Sequence, residues 1–423
     1  MARKMKDSGI EWIGEIPEGW EVIRLKYLAD FEPTCDTSYL TDESKVTYTP
    51  MECVKNGGFE NRSALYGNLS HTLTPFQNGD IAMAKVTPCF ENGNIAIMDN
   101  LFSGFGLGSS ELFIFRPKGI SIHYFFYWLQ NKAFVAKACS TMTGTGGLKR
   151  ISPSFIRNCP VHCPSMDEQT KISDYLKAKC TEIDTMLFKT RSSIEEYKKL
   201  KQAVITQAVT KGVRGEREMK DSGIEWIGTY PSNWKIIKIK WLLHERKDRS
   251  VTGLEEPLSM SQKKGLIPTK EMDSIPNMAS SFIGAKLVYK GDLVFNKLKA
   301  HLGVFSVSKY NGLVSPDYAV YYSTGLANLN FLELLFKTPQ YINEFKKKSS
   351  GVGAGLTRLY TGDLYSIYCA LPPLVEQEEI ADYLDIKCAE IDGLIAKKEQ
   401  LVKELESYKK SLIYEVVTGK REV

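Results

Sequence analysis

One short motif carries the residue types of a cofactor loop. Phe102-Ser103-Gly104-Phe105-Gly106, with Asp99 upstream, is similar to the F-x-G-x-G loop of methyltransferases. Glycines in such a loop let the backbone approach a ligand closely. A methyltransferase acting on adenine also needs a D/N-P-P-Y/F motif, and the Pro-Pro pair of this sequence follows Leu371 instead. The loop is therefore a weak indication of cofactor binding.

A second motif resembles the PD…ExK pattern of many nucleases. Pro316-Asp317 is followed by Glu344-Phe345-Lys346, and two carboxylates with a lysine can hold a metal and activate water. Short patterns of this kind arise often by chance, which makes nuclease chemistry a minor alternative.

Cysteine and histidine spacing gives a third candidate site. Cys159, His162 and Cys163 form a C-x-x-H-C pattern, but structural zinc requires four ligands. Buried thiols are the favoured interpretation, and we predict no metal site. Nine scattered cysteines without a C-x-x-C pair favour a reducing, cytoplasmic location.

The composition is that of an ordinary globular protein. The chain has 423 residues, of which 43% are hydrophobic and 25% charged, so intrinsic disorder is disfavoured. A net charge of +5 permits nucleic-acid binding without requiring it. No apolar run is long enough to span a membrane.

The chain contains an internal repeat with conserved flanks. Residues Met5–Gly14, MKDSGIEWIG, recur at Met219–Gly228, and Pro17 and Trp20 recur in the same register as Pro231 and Trp234; the offset is 214 positions. A second block recurs at an offset of 208, with these pairs: Glu168-Gln169 and Glu376-Gln377, Asp174–Leu176 and Asp382–Leu384, Cys180 and Cys388, Glu182–Asp184 and Glu390–Asp392, Val209-Thr210 and Val417-Thr418.

Between the flanks the two copies differ. Surviving anchors are Gly79-Asp80 beside Gly291-Asp292, Lys85 beside Lys297, and a glycine-rich basic segment, TGTGGLKR ending at Arg150 beside SGVGAGLTR ending at Arg358. Matching flanks indicate two equivalent tasks, and unlike middles indicate two different objects to be recognised. The alternative is a duplicated scaffold whose middles drifted.

Each second block predicts a long helix. Ser165–Thr210 lacks proline and glycine, and its apolar or tolerant residues recur at steps of three and four, as in a coiled coil. Ser165 and Glu168 suit a capping box, and Gly212 suits the helix end. The predicted seam residues are Ile172, Leu176, Cys180, Ile183, Leu187, Thr190, Ile194, Tyr197, Lys201, Val204 and Ala208, and in the second copy Ile380, Leu384, Cys388, Ile391, Ile395, Lys398, Val402, Leu405, Lys409, Leu412 and Val416.

The resulting fold prediction is α+β (mixed α/β), with helical runs at Ile122–Cys139 and Asn330–Lys347 in the globular parts. Two similar globular domains are joined by two long helices, each spanning about 65 Å at 1.5 Å per residue. A pseudo-two-fold axis would pair these helices as an antiparallel coiled coil. The predicted segments are a first recognition domain at 1–164, a first spacer helix at 165–212, a second recognition domain at 213–372, and a second spacer helix with C-terminal tail at 373–423.

The repeat resembles the specificity (S) subunits of type I restriction–modification systems. The resemblance covers nearly the whole chain and is carried by IEWIG…IP..W at Ile10–Trp20, its twin at Ile224–Trp234, PPLVEQEEIADYLD at Pro372–Asp385 and PSMDEQTKISDYLK at Pro164–Lys177. The first copy departs from the second in lacking the double proline.

The resemblance implies a non-catalytic, sequence-specific DNA-binding subunit. Each recognition domain would read one half of a bipartite site in double-stranded DNA, while the helices would fix the spacing and bind two methyltransferase subunits. S-adenosylmethionine, ATP and magnesium are expected in partner subunits, including a restriction/translocase subunit, and no cofactor is expected in this chain. The alternatives are a nuclease or methyltransferase acting alone, and a scaffold that binds only protein.

DNA reading requires basic side chains at phosphates and hydrogen-bonding side chains at base edges. The candidates are Lys85, Thr87, Asn92, Lys149 and Arg150 in the first domain, and Asn296, Lys297, Lys299, His301 and Arg358 in the second. The candidates for scaffold and partner contacts on the helices are Tyr175, Leu176, Glu182 and Asp184, and Tyr383, Leu384, Glu390 and Asp392.

Overall fold

The computed structural model describes residues 3–55, 57–70, 72–145, 147–262, 264–274, 281–351 and 357–423. Its contacts divide the chain into two units, the first formed by Met1–Arg191 with Gln400–Val423 and the second by Ser192–Glu399. Both units combine helices with strands, which confirms the mixed α and β class. Each unit contains one globular part together with a portion of both long helices.

The first unit is built on two four-stranded sheets. The order β11-β10-β13-β4 is antiparallel throughout, and a second sheet has the order β8-β5-β12-β9. Its strands are β1 Met5–Asp7, β2 Glu15–Pro17, β3 Glu21–Arg24, β4 Ala29–Phe31, β5 Lys45–Thr49, β6 Val54–Lys55, β7 Gly58–Phe59, β8 Arg62–Leu65, β9 Thr74–Gln77, β10 Asp80–Ala84, β11 Ile95–Met98, β12 Phe105–Gly108, β13 Leu112–Pro117, β14 Thr143–Thr145, β15 Leu148–Arg150 and β16 Pro160–Cys163.

The second unit repeats the first of these sheets. Its order β20-β27-β24-β25 reproduces β4-β13-β10-β11, again antiparallel throughout. Its strands are β17 Met219–Asp221, β18 Thr229–Pro231, β19 Lys235–Lys238, β20 Leu243–Glu245, β21 Leu258–Ser261, β22 Gly265–Pro268, β23 Lys286–Val288, β24 Leu293–Asn296, β25 Phe305–Val307, β26 Gly312–Val314, β27 Tyr318–Ser323, β28 Ser350–Gly351, β29 Thr357–Arg358 and β30 Tyr368–Leu371.

Three short helices accompany the sheets of each unit. They are α1 Ile122–Trp128, α2 Lys132–Ser140 and α3 Pro153–Asn158 in the first unit, and α5 Leu329–Phe336, α6 Pro339–Lys348 and α7 Thr361–Ser366 in the second. The helical runs predicted at Ile122–Cys139 and Asn330–Lys347 are largely helical, but each of them is divided into two helices.

Each of those predicted helices is broken by a new start. The Asn131 side chain accepts a hydrogen bond from the Phe134 backbone N–H and so caps α2. Pro339 occupies the first position of α6, where a missing N–H is tolerated.

The two long helices are α4 Met166–Lys211 and α8 Leu374–Val417. Gly212, with φ +79°, follows the end of α4 as predicted. Along α4 the seam positions Ile172, Leu176, Ile183, Leu187 and Ile194 are buried. In the described part of the chain, no helix is long and apolar enough to cross a membrane.

Within the first unit, the start of α4 packs against the end of α8. Leu412, Ile413, Val416 and Val417 belong to the same apolar core as Ile172, Leu176 and Leu187. Lys409 Nζ lies 2.7 Å from Asp184 Oδ1, and Arg191 Nη2 lies 2.5 Å from Glu406 Oε1. As the residue number increases along α4, the number of the contacting residue on α8 decreases, so the helices are antiparallel here.

Within the second unit, the end of α4 packs against the start of α8 in the same antiparallel sense. Lys201 Nζ lies 2.6 Å from Asp392 Oδ2, and Lys398 Nζ lies 5.7 Å from the centroid of the Tyr197 ring. Asp184 and Asp392 are equivalent positions of the repeat. Each unit therefore has the same aspartate-to-lysine bridge between the helices.

The repeated Glu-Gln pair fastens each long helix to its globular part. Buried Gln169 accepts the Ser121 N–H through Oε1 (2.7 Å) and donates to the Pro164 carbonyl (2.9 Å). Gln377 accepts the Asn328 N–H (2.7 Å) and donates to the Pro372 carbonyl (2.9 Å). One side-chain amide therefore hydrogen-bonds both to a backbone N–H at the start of a short helix and to a backbone carbonyl just before a long helix.

Glu168 connects the two repeated flanks. Its Oε2 accepts from Nε1 of Trp20 (2.9 Å), and its Oε1 lies 2.5 Å from Arg3. The capping-box prediction was wrong in one respect, because the Glu168 carboxylate points to Trp20 and Arg3. Ser165 Oγ does accept the Glu168 N–H, but the distance of 3.4 Å makes this a long hydrogen bond.

The glycine-rich segment at Phe102–Gly106 has a packing explanation. Gly106 lies in β12 beside Phe76 of β9, and a Cβ at Gly106 would lie 2.2 Å from Cε2 of that ring. Because the phenyl ring occupies the space of a side chain, glycine is needed here without any ligand.

Removing the Gln169 side-chain amide should destabilise the first unit. In Gln169→Leu, the Ser121 N–H and the Pro164 carbonyl lose their partner, at about 1–3 kcal/mol for each buried group. Urea unfolding should show a lower free energy of unfolding, and Gln377→Leu should have a comparable effect. Gln202→Leu, on the exposed face of α4, is the control and should change stability by less than about 0.5 kcal/mol.

His162 is buried in the core of the first unit. Its ring stacks on Trp20 with centroids 5.9 Å apart, and the flanking Cys159 and Cys163 are free buried thiols, as predicted. The pKa of His162 is lowered from 6.5 to about 3, mainly by burial; the Val417 backbone raises this pKa in part, and the Lys420 cation contributes to lowering it.

The low pKa of His162 predicts acid sensitivity. Below pH 6.5 the unfolded chain takes up a proton that the folded chain refuses, so stability is complete above pH 6.5 and falls towards pH 3. In this range the free energy of unfolding falls by at most about 1.4 kcal/mol for each pH unit. Urea unfolding measures the free energy of unfolding at pH 7 and at pH 5. The loss of this free energy between pH 7 and pH 5 should be smaller for His162→Leu than for the unmodified chain. The control His123→Leu, at an exposed position, should lose as much as the unmodified chain.

Candidate nucleic-acid interface

An exposed hairpin, β14-β15, carries two of the candidate DNA-binding residues of the first unit. Thr87 N–H donates to the Lys149 carbonyl, and the Lys149 N–H donates to Thr87 Oγ1, both at 2.9 Å. The Ile151 N–H donates to the Lys85 carbonyl at 3.0 Å. The hairpin therefore lies along the segment after β10, and Lys85, Thr87, Lys149 and Arg150 come together.

Arg150 is held by a carboxylate. Its Nε and Nη2 donate to Glu111 at 2.9 and 2.8 Å, a bidentate pair with the arginine side chain 48% exposed. Hydrogen bonding to Arg150 lowers the pKa of Glu111, so the carboxylate is ionised at neutral pH. Lys85 is nearby, because its N–H donates to the Glu111 carbonyl at 3.0 Å.

Asn92 lies apart from the hairpin contacts. It follows the Thr87-Pro88 peptide, and its N–H donates to the Pro88 carbonyl at 3.0 Å. It lines a cleft of about 660 Å³ together with Lys132, Asp184 and Arg191. The structure thus places this candidate beside the helices.

The second unit has an equivalent hairpin, β28-β29. The Leu359 N–H donates to the Lys297 carbonyl at 3.0 Å, as Ile151 does to Lys85. Arg358 Nη2 lies 2.5 Å from Asp317 Oδ1, and the Lys297 N–H donates to the Asp317 carbonyl at 3.3 Å. Residues 352–356 of the predicted glycine-rich segment lie outside the described residues.

Lys297 differs from Lys85 in its surroundings. Partial burial lowers the pKa of Lys297, and the cations of Lys286 and Arg358 lower it further. Lys85 Nζ instead lies 5.4 Å from the centroid of the Phe113 ring. Equivalent lysines therefore present different chemistry in the two units.

The remaining candidates of the second unit lie at the end of β24 and on the segment that follows it. The Lys299 N–H donates to the Asn296 carbonyl at 3.0 Å, and Asn296 Oδ1 accepts from the Leu298 N–H at 3.1 Å. Lys299 is exposed. His301 Nδ1 is buried without a hydrogen-bond partner among the described residues.

Sequence reasoning missed Glu111 and treated Asp317 as a nuclease residue. In the structure both carboxylates pair with the arginine that follows the glycine-rich segment. Glu344 lies on α6, 4.0 Å from Lys347. Across the described ranges, no group of three or more His, Cys, Asp or Glu residues could hold a metal ion. The available signal was the position of Glu111 and Asp317, each about 40 residues before its arginine.

The helix candidates separate into buried and exposed side chains. Leu176 and Leu384 belong to the cores of their units. Asp184 and Asp392 bridge α4 and α8, as described above. Half-buried Tyr175 packs against the first core, whereas Tyr383 is 38% exposed.

Glu182 and Glu390 are exposed, and each pairs with a lysine three residues earlier on its own helix. The partners are Lys179 and Lys387, both at 2.9 Å. Tyr383, Asp184 and Asp392 are exposed as well, so these five helix candidates are accessible to another protein.

Comparison with known proteins gives one consistent answer. A family model described as the type I restriction modification DNA specificity domain matches residues 17–196. The type I restriction enzyme EcoEI specificity subunit of Escherichia coli is 34% identical over 163 residues, which are 37% of this chain and 27% of that protein. The chain therefore spans about a quarter of the length of this relative.

Other similarities cover the whole chain. The type I restriction enzyme MjaVIII specificity subunit of Methanocaldococcus jannaschii is 21% identical over 433 residues, covering 96% of this chain and 93% of that protein. A chain from a structure of complex assembly and conformational transition of the type I R-M system is 15% identical, with a TM-score of 0.71, over 96% of this chain and 99% of that one. The latter similarity concerns the fold.

The resemblance carried by the repeated blocks is therefore confirmed: the family model over residues 17–196 and the curated relatives are those of type I restriction–modification specificity subunits, and the solved structure shares the fold.

Proposed function

We propose that this chain reads the two halves of a bipartite site in double-stranded DNA, one half with each unit, and performs no catalysis itself. The supporting observation is the equivalent placement of Arg150 and Arg358. Each lies on a hairpin, each pairs with a carboxylate, and each hairpin is hydrogen-bonded to the segment that carries Lys85 or Lys297. Equivalent frames with different side chains suit the reading of two different sequences.

The arginine–carboxylate pairs bear on specificity. A free arginine attracts any phosphate, whereas an arginine held by a carboxylate must exchange that partner for a DNA group. A carboxylate in a groove can accept a hydrogen bond from cytosine N4 but repels the phosphate backbone. Glu111 and Asp317 therefore favour base-dependent contacts over non-specific attachment.

The helices have a separate role in this proposal. α4 has 46 residues, a length of about 69 Å at 1.5 Å per residue, which is enough to fix a spacing between two half-sites. Exposed residues of the repeated helical blocks, such as Glu182 and Glu390, would bind two copies of a methyltransferase subunit. That subunit and a restriction/translocase subunit would supply S-adenosylmethionine, ATP and magnesium.

Arginine substitutions should affect one half-site each. In the chain assembled with its methyltransferase, Arg150→Ala should weaken recognition of one half-site and Arg358→Ala that of the other, by about 1–3 kcal/mol where the arginine contacts a base. The measurement is competition binding with duplexes altered in one half-site at a time, after methylated adenines have identified the site.

The controls are arginines that are also paired with glutamates but lie near or on the helices. Arg191→Ala and Arg214→Ala remove the pairs with Glu406 and Glu379 and should leave half-site preference unchanged. If the single substitution Arg150→Ala abolished the preference for both half-sites, this would contradict the assignment of one half-site to each unit.

Neutralising Glu111 should strengthen DNA binding and reduce its selectivity. Glu111→Gln frees Arg150 for phosphate and removes a nearby negative charge. Because one more phosphate is then contacted, the slope of log K against log salt concentration should become steeper by about 0.9. Fluorescence anisotropy with non-specific duplex at several salt concentrations measures this slope.

The matched control is Glu60→Gln, since Glu60 is also bidentate to an exposed arginine, Arg62. It should leave the slope unchanged. An unchanged slope in Glu111→Gln as well would exclude Arg150 from phosphate binding.

A further inference from the structure

The second unit contains a cleft that neither DNA reading nor helix pairing uses. It has a volume of about 860 Å³ and lies between the last turns of α4, the segment around the β17-β18 hairpin, and helices α5 and α6. Apolar side chains form much of its lining, and the helix adds polar ones. Its lining includes Thr206, Trp226, Tyr230, Leu335, Tyr341 and Ala370.

The internal repeat shows that the first unit fills the equivalent positions with rings. His162 pairs with Val22 in β16-β3, and Ala370 pairs with Ile236 in β30-β19, at the repeat offsets of 208 and 214. Ala370 is thus equivalent to His162. The histidine is 1% exposed, so its imidazole fills the place that a methyl group leaves open.

Two more positions change in the same direction. Thr206 is equivalent to Tyr414, because Val209-Thr210 and Val417-Thr418 coincide in the repeat. Leu335 is equivalent to Trp128, because α5 and α1 start from N-caps that bond Gln377 and Gln169. Three rings in the first unit therefore correspond to three smaller side chains in the second, whereas Ile16 of the first unit corresponds to the larger Tyr230.

The rings of the first unit also show what such a place accommodates. Trp128 lies with its centroid 5.8 Å from that of His162, and Lys132 Nζ lies 4.7 Å from the centroid of the Tyr414 ring. In the second unit, Trp226 and Tyr341 meet edge to face at 4.9 Å and line the cleft. Aromatic walls of this kind favour an aromatic guest in an edge-to-face or offset arrangement.

The charge around the cleft specifies the guest further. Lys199 and Lys211 lie at its edge, and neither forms a salt bridge within the described ranges. Among the described lining residues none is acidic. The surface therefore combines an aromatic floor with uncompensated positive charge and complements an acidic segment with an aromatic side chain.

We propose that this cleft binds a phenylalanine or tyrosine side chain flanked by carboxylates, presented by an acidic segment of a partner protein. Because His162, Trp128 and Tyr414 fill the equivalent place in the first unit, such a partner binds once per chain. This site is independent of the DNA-reading proposal and is one of the features that distinguish the two units.

The test is calorimetric titration of the full chain with the peptide acetyl-Glu-Asp-Phe-Asp-Glu-amide. We expect one peptide per chain and an affinity that falls as salt rises. Thr206→Tyr, which introduces the residue that the first unit already accommodates, should weaken binding by about tenfold or more. Lys199→Ala combined with Lys211→Ala should weaken binding at low salt and flatten the salt dependence.

Thr185→Tyr provides the matched control, because Thr185 lies on an exposed position of the same helix in the first unit. It should leave binding unchanged. Circular dichroism and urea unfolding establish that each variant is folded. Equal binding of the peptide with alanine in place of phenylalanine, two peptides per chain, unchanged binding in Thr206→Tyr, or no binding at millimolar peptide would each overturn the proposal.

Discussion

The orientation of each long helix depends on one buried glutamine. Gln169 and Gln377 are almost fully buried, and each amide hydrogen-bonds the start of a short helix on one side and the proline two residues before its own long helix on the other. A buried amide without partners is costly, so the two elements must meet at a single geometry. Everything that the helices position, including their bridges from Asp184 and Asp392, follows from this fixed start.

The repeat also shows which interactions tolerate drift. Buried Asp80 is bidentate to Arg116 of β13, at 2.8 Å for both bonds. Its equivalent, Asp292, is bidentate to Arg246, which follows β20. The residue equivalent to Arg116 is Tyr322, and the Arg246 guanidinium lies 4.8 Å from the centroid of that ring. The buried carboxylate requires an arginine, but not from one particular strand.

Much of the fold could be predicted because it depends on periodic patterns. The bounds of α4 and α8 and the buried face of α4 follow from apolar spacing over more than ten turns. The breaks at Asn131 and Pro339 were missed, because the apolar pattern continues through them and only local capping decides where a new helix begins. The contact between Trp20 and Glu168 was equally inaccessible, since the sequence gives two conserved blocks without showing that they touch.

The candidate interface was predicted less completely, and for a different reason. The repeat identified Lys85, Arg150 and their equivalents, because glycine-rich segments before basic residues recur. The ion-pair partner changes from Glu111 to Asp317, and a single acidic residue about 40 positions before an arginine is too weak a pattern to identify the pair from the sequence.

The same reasoning connects the ion pairs with the open cleft. A duplicated chain can keep its backbone frame while single side chains change what each copy offers to a ligand. At the hairpins, both copies keep a paired arginine and vary its neighbours. At the end of the long helices, the first unit closes the equivalent place with His162, Trp128 and Tyr414, whereas the second leaves it open. Because His162 and Trp128 are buried in the first unit whereas the second unit leaves the equivalent place open, a side chain bound in the cleft would bury apolar surface there.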